Sequence, residues 1–346
     1  MIKRIVVLVL ALALSGCEMA AYYLQAIGGH LEIMGRAQPL DRLLDDPATP
    51  PTLKARLVMA AAIREFASRE LGLPDNGSYR SYADLGRAYA VWNVVAAPEF
   101  ALQPVQSCFP VAGCVSYRGF YAREDAVRHA ARLRAEGNDV YMGGVPAYST
   151  LGWFDDPLLS SFIRYPDAEL ARLVFHELSH QLVYLKGDST FNESFAVAVE
   201  REGVRRWLKA SGRAAELRLL DDVEQRRRDL AQLMAAARER LQRLYREPLP
   251  PQEMRAHKLA AFAALRSDYE ALKAGPWRGF AGYDHLFTEQ AANNALLASF
   301  ATYTQLVEGF ERLLAAEGGD LAGFYAKVKE LATQEKPARD AVLKPR

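Results

Sequence analysis

The segment His176-Glu177-Leu178-Ser179-His180 constrains this chain more than any other feature, because its neighbours leave few conformations open. Residues four apart share a face only in an α-helix. Leu170, Leu173, Val174, His176, Leu178 and His180 recur at that spacing, so a helix is predicted from Asp167, a good N-cap, to about Leu185. One side of such a helix must be buried while the side carrying the imidazoles borders a cleft. Gly187-Asp188 breaks it, and a second helix is expected to begin around Asn192 and to carry Glu193.

Two imidazoles one helical turn apart can bind one zinc ion, and Glu177 beside them can take a proton from a water molecule. A catalytic zinc site uses three protein ligands and keeps one position open. Glu193 completes such a set with His176 and His180, giving one Zn2+ per chain. The bland alternative is a helix with two incidental histidines. His30, His129 and His257 lie in polar or amphipathic surroundings and are given no role.

The 43 basic residues nearly balance the 42 acidic ones, so no field points to nucleic acid as a partner. Half of the 346 residues are hydrophobic, enough for a full core. Helical spacing marks Thr52 to Glu70 and Glu124 to Glu136. Extended patterning marks Tyr89 to Ala97, Cys108 to Tyr121 and Asp139 to Val145. Ala214 to Arg246 and Gln252 to Ala274 read as two antiparallel helices joined at Pro248, Pro250 and Pro251. The fold class is therefore α+β and predominantly helical, with a small sheet packed on the helix pair and a long helical hairpin.

At the start, Met1-Ile-Lys-Arg and the apolar run Ile5 to Leu14 have the form of a secretory signal, too short for a permanent membrane span. Leu14-Ser15-Gly16-Cys17 looks like a bacterial lipobox, which implies lipid on Cys17 and a mature chain starting there. Glu18 follows where an aspartate would signal inner-membrane retention, so the expectation is an outer-membrane lipoprotein facing the periplasm. Cys108 and Cys114 remain as an even pair, and an oxidising compartment favours a disulfide over free thiols or a metal pair. The expected organisation is a signal peptide over 1–16, a tether and helical segment over 17–50 and a catalytic core over 51–210. A helical region closing the cleft would follow over 211–333, with a charged tail over 334–346 expected to be disordered.

The zinc motif followed by Asn192-Glu193-Ser194-Phe195-Ala196 resembles the gluzincins, more closely the zinc aminopeptidases whose third ligand lies in an Asn-Glu-x-x-Ala setting. Further segments extend the likeness over most of the mature chain: Tyr22-Tyr-Leu-Gln25, Tyr117-Arg-Gly-Phe-Tyr121, Ala147 to Phe154 and Asn293-Asn-Ala295. Together they look like a bacterial family called predicted aminopeptidases. The resemblance implies a zincin-like core, a peptide substrate and a role for Glu200 in orienting a ligand. It also implies a hydrogen-bond donor for the oxyanion, for which Tyr148, Tyr283, His285 and Tyr303 are candidates. Asn293 and Asn294 either reach into the cleft or cross-link helices.

One departure bears on specificity. Neutral zinc aminopeptidases hold the substrate amine with a glutamate in a Gly-Ala-Met-Glu-Asn strand, whereas this chain reads Gly143-Gly-Val-Pro-Ala-Tyr148. Asp155, Asp156 and Glu169 are the candidates to replace it. Without such an acid, an endopeptidase or oligopeptidase using the same atoms fits equally. The third reading, a zinc-stabilised binding lipoprotein without catalysis, leaves Glu177 without a purpose.

Overall fold

The computed structural model of the protein describes residues 22–109, 113–147 and 149–344. Helix α1 (22–36) leads through strand β1 (Gln38–Pro39) and helix α2 (Leu40–Asp45) into α3 (Pro51–Arg69). Pro51 suits the first turn of α3, where its missing N–H has no helical partner, and Leu57, Ala60, Ile63 and Ala67 form the buried stripe. Arg64 interrupts that stripe at 1% exposure. Its guanidinium donates to the carbonyls of Pro74, Asn76 and Ser78, which makes the buried charge tolerable.

Strands β2 (Ser81–Ala83), β3 (Val91–Pro98), β4 (Ser107–Phe109), β5 (Gly113–Val115) and β6 (Arg118–Phe120) follow, then α4 (Arg123–Ala135), β7 (Asn138–Val145) and β8 (Leu158–Leu159). The sheet that borders the site has the order β6-β3-β7, antiparallel throughout, with Val94 opposite Met142 and Trp92 opposite Phe120. β3 carries consecutive apolar residues because both faces of this sheet are covered. Val94 and Ala96 meet Ala126 and Ala130 of α4, while Val95 and Ala97 meet Ala295. A second small sheet orders β1-β2-β8, and β4 pairs with β5 in a hairpin that a disulfide between Cys108 and Cys114 crosses.

Helices α5 (Asp167–Leu182) and α6 (Ser189–Ala210) form the central pair. Leu170, Val174, Phe175 and Leu178 on α5 are buried with Phe191, Phe195, Val199 and Trp207 on α6. The approach is close at Gly203, where an added Cβ would lie 2.8 Å from both Leu71 and Phe175. Between the helices Gly187 takes a φ of +83°, and Asp188 caps α6 by accepting from the N–H of Phe191.

The remainder is helical: α7 (Ala214–Leu244), α8 (Pro251–Ala274), a 3-10 turn at Asp284–Leu286, α9 (Asn294–Thr304), α10 (Val307–Ala316), α11 (Leu321–Ala332) and α12 (Lys336–Leu343). None of the described helices is long and apolar enough to cross a membrane. The predominantly helical α+β class matches the expectation from patterning, and the hairpin α7/α8 packs Leu230, Met234 and Leu241 against Phe262, Leu265 and Tyr269.

One expectation is corrected. The tail over 334–346 was expected to be disordered, yet its residues 336–343 form α12, with Leu343 fully buried against Gly309. Its cations found a buried partner: Lys336 and Arg339 bond Asp188, the cap of α6, at 3.1 and 2.9 Å. The described residues that line the cleft all precede 211, while Ala298 and Ser299 of α9 line a smaller pocket beside it that shares Asn93, Tyr117 and Val145. Residues 1–16 and Cys17 lie outside the described residues.

Candidate active site

The site is built on α5 and α6. His176 and His180 project from one face of α5, and Glu193 projects from the first turns of α6. Asn192 fixes the relation between the helices, since its side chain accepts from the N–H of Leu185 at 2.8 Å and donates to the Leu185 carbonyl at 2.9 Å. At the other end of the connection Gln181 bonds Asn76 and Ser78, in the loop gathered by Arg64. The apolar helix pair thus carries a polar clamp on each side of its turn.

His176 Nε2 lies 3.2 Å from His180 Nε2 and 3.3 Å from Glu193 Oε2, and His180 Nε2 lies 3.7 Å from that oxygen. Ligands about 2.0–2.1 Å from a tetrahedral ion stand roughly 3.3 Å apart, so these three atoms fit one metal ion. Their hydrogen-bonding character agrees. His176 Nδ1 is engaged by Glu200 Oε2 at 2.8 Å, so Nε2 is the ring nitrogen that faces His180 Nε2 and Glu193 Oε2. His180 Nδ1 has no partner among the described residues.

Charge makes the same demand. Glu177, Glu193 and Glu200 bring three carboxyl groups to the cleft, with Arg172 as the one arginine among the described lining residues. Burial alone would lower the pKa of His176, but hydrogen bonds to Glu193 and Glu200 and their charges outweigh it and push the value up to about 10. Burial prevails at His180, which falls to about 4, and at Glu177, which rises to about 7. Glu193 stays below the ordinary carboxylate value despite its burial, held by the hydrogen bond from His176 and by both imidazoles.

Behind the histidines runs a chain of ion pairs. Burial opposes ionisation of Glu200, yet Arg172, followed by His176, drives its pKa down to about 2. Arg172 bonds Glu200 at 3.2 Å and Glu169 at 2.7 Å, and Glu169 is also held by Arg227 of α7 at 2.9 Å. Arg172 stands one turn before His176 on the same helical face, a signal present in the sequence that the reading above did not use.

The cleft has a volume of about 580 Å³. Across from the helices its wall consists of Val91 and Asn93 on β3, Gly119 on β6, Val145 on β7 and the following Pro146, Ala147 and Ser149. Tyr22, Tyr117, Tyr121 and Tyr184 also line it. Tyr117 is raised in pKa by burial and by the carboxylates of Glu193 and Glu177, and Tyr184 by burial and Glu193. None of these tyrosines was among the donors expected from sequence.

A family model described as "Putative aminopeptidase" matches residues 21–343. The chain belongs to that family. Searches of curated proteins and of solved structures returned no match. Within this member of the aminopeptidase family, several expected site residues fall elsewhere. Tyr283 packs on Trp277 and Phe280 and bonds Arg227, behind the histidines rather than in the cleft. His285 lies in the 3-10 turn beside it and does not line the cleft either. Both follow the hairpin, whose packing carries them away from the open side of α5. Tyr148 and the side chain of Tyr303 lie outside the described residues.

Asn293 and Asn294 prove to be cross-links. Asn293 caps α9 and donates to the Val140 carbonyl, while buried Asn294 donates to Pro98 and Glu99 and accepts from Tyr245. The three acids proposed for the substrate amine are also accounted for. Asp155 is exposed against Gly77, Asp156 is buried and accepts from the N–H of Thr150, and Glu169 is held by arginines. None of them lines the cleft.

Proposed function

We propose that the chain is a zinc-dependent peptidase with a zincin-like core, tethered by lipid at Cys17 and facing the periplasm, in the outer membrane. The observation that carries this reading is the convergence of His176 Nε2, His180 Nε2 and Glu193 Oε2, next to a glutamate that borders the same cleft. Zinc, when bound by these three residues, polarises the scissile carbonyl and makes a water molecule more acidic. Glu200, bonded to His176 Nδ1, fixes the tautomer and ring orientation that the ligand set requires.

Glu177 acts as the base. It removes a proton from the attacking water as the C–O bond forms, then returns that proton to the leaving nitrogen as the C–N bond breaks. Its burial and its pKa of about 7 suit both halves of that exchange. Tyr117 and Tyr184, which line the cleft and feel the charge of Glu193, are the donors this reading assigns to charge on the carbonyl oxygen. The backbone from Val145 to Ala147 can hold an extended peptide by strand addition.

The family name directs the reading first to amino-terminal peptide bonds. The second reading, an endopeptidase or oligopeptidase using the same atoms, draws support from one observation. Beyond Glu177, Glu193 and Glu200, no acid lines the cleft among the described residues. The deciding experiment incubates the protein with a mixed peptide library, with and without chelator, and reads cut positions by mass spectrometry. Chelator-sensitive cleavage with zinc bound in a one-to-one ratio is expected; zinc-bound protein that cuts no peptide would leave the non-catalytic binding reading in its place.

A further inference from the structure

The outward face of α1 and the loop that follows β7 together leave an apolar surface uncovered. Leu24, Ile27 and Leu31 are 71%, 55% and 61% exposed, and their spacing puts them on one side of the helix. Gly28 and Gly35 share that side, where an added Cβ would touch nothing within 4 Å. The opposite side is the packed one, with Ile33 fully buried. The charges of α1 turn away from the stripe: Glu32 pairs with Arg87 at 3.1 Å, and Arg36 donates to the Asp84 carbonyl. Beside it, the His30 ring meets Phe154 at 4.6 Å, and Phe154 and Trp153 are 51% and 83% exposed.

These aromatic residues do not hang from a loose strand. Trp153 N–H donates to the Thr150 carbonyl, Phe154 N–H donates to the Thr150 hydroxyl, and Thr150 N–H is held by Asp156. A tip so fixed presents a tryptophan to solvent beside an uncharged helix face, and no residue among the described ones covers it. Exposed apolar patches of this kind mark sites of protein or membrane contact.

We infer that this surface docks on the bilayer that carries the Cys17 lipid, with α1 lying in the interfacial plane and Trp153 and Phe154 inserted beside it. The inference rests on lipid attachment at Cys17. Four residues lie between Cys17 and Tyr22, so the tether reaches at most about 18 Å even when fully extended. The stripe begins at Leu24 and extends about 10 Å along the helix to Leu31. A lipid bound so near the start of α1 keeps the stripe beside the headgroups, where tryptophan and leucine side chains are favoured. Tyr22 and Ala26 on the other side of α1 line the cleft. Docking therefore sets the cleft about one helix diameter, roughly 10–12 Å, from the membrane surface.

The test uses the full chain, processed in bacteria and reconstituted into vesicles of phosphatidylethanolamine and phosphatidylglycerol, with brominated or ordinary acyl chains. Mass spectrometry first reads the modification at Cys17. The apolar face of an interfacial helix sits about 5–10 Å into the headgroup and acyl boundary, so bromine should remove about half of the Trp153 emission. Trp153→Phe supplies the background from the other tryptophans and should lose this quenching. Leu24→Ser with Ile27→Ser, both at exposed positions, should reduce it about twofold. Equal emission in both vesicle types from a chain whose Cys17 carries lipid overturns the docking itself. An unmodified Cys17 overturns the inference through its tether, and the two failures are read by different instruments.

Discussion

The two walls of the cleft are built on opposite principles. Behind the histidines, charge is dense and paired: Glu200 and Glu169 share Arg172, Glu169 and Glu224 share Arg227, and Arg201 joins Glu224 to Glu311 of α10. The facing wall, from Val91 and Asn93 to Ser149, offers backbone, amide, hydroxyl and aromatic groups without a charge. The difference teaches where electrostatics acts in this protein. Charge orders the histidines from behind, while the facing wall is left to shape and hydrogen bonding.

The largest effects should come from the residues between these walls. Glu177→Gln keeps all three metal ligands, so zinc measured by mass spectrometry should remain stoichiometric while hydrolysis falls by about 10²–10⁴-fold. Glu193→Gln removes an anionic ligand and should lose zinc and activity together. A Glu177 variant without metal, alongside a Glu193 variant with metal and turnover, would reverse the two assignments.

Next in size is the rear wall. Arg172→Met leaves Glu200 and Glu169 short of a partner in a buried setting, a change that typically costs about 3–5 kcal/mol. Loss of a group that orients a metal ligand also weakens metal affinity by about 10–100-fold. Arg172→Lys should recover part of both. On the facing wall, Asn93→Ala should shift stability by no more than about 1 kcal/mol and leave zinc affinity unchanged. Equal zinc affinities for the Arg172 and Asn93 variants, measured by competition with a chelator, would erase the contrast.

Much of this arrangement was legible in sequence because it is local. The 3.6-residue spacing placed His176, Glu177 and His180 on one face, and Asn192-Glu193 announced the next helix, starting within three residues of its true beginning at Ser189. The helices from Pro51, Arg123, Ala214 and Pro251 likewise began within a residue of their expected starts, because apolar residues recur along each at helical spacing. What escaped depended on partners far along the chain. Arg227 meets Glu169 across 58 residues, and Arg339 meets Asp188 across 151, so a charged tail read as disordered is in fact a clamp on the cap of α6. The cleft tyrosines Tyr117 and Tyr184 come from the bend between β5 and β6 and from the segment after α5, which no periodicity could bring together.

Asp156 sharpens the comparison, as a buried acid without an arginine. Burial raises its pKa to about 6, where the arginine-paired Glu169 lies below its ordinary value despite burial. A raised value means that the folded state holds the proton more tightly than the unfolded one. Its stabilising contribution is therefore complete below the unfolded value near 4 and is lost as pH rises from about 4 to about 6. Relative to wild type, Asp156→Asn should gain about 1–3 kcal/mol in urea unfolding between pH 4 and pH 7. A constant difference across that range would show that Asp156 is already ionised in the fold.

The smallest effect expected concerns the substrate amine, and it tests the neutral wall directly. Recognition of a free ammonium needs a carboxylate without another partner, because an ion already committed to an arginine gains little from a second cation. Glu169 and Glu200 are so committed, Asp156 is turned into the protein, and Asp155 lies outside the cleft. Glu177 and Glu193 remain, and both are assigned to other work. Acetylating the amine of a peptide that is cleaved should therefore lower kcat/KM by less than about tenfold, or about 1.4 kcal/mol. Parallel measurement of the free and acetylated peptides, with cut sites read by mass spectrometry, decides the matter. A loss beyond about a hundredfold, twice that energy, would put the ammonium beside Glu177 or Glu193 and make amino-terminal cleavage obligatory. Cleavage of internal bonds at comparable rates in both peptides would instead follow from a wall that reads backbone and side-chain shape alone.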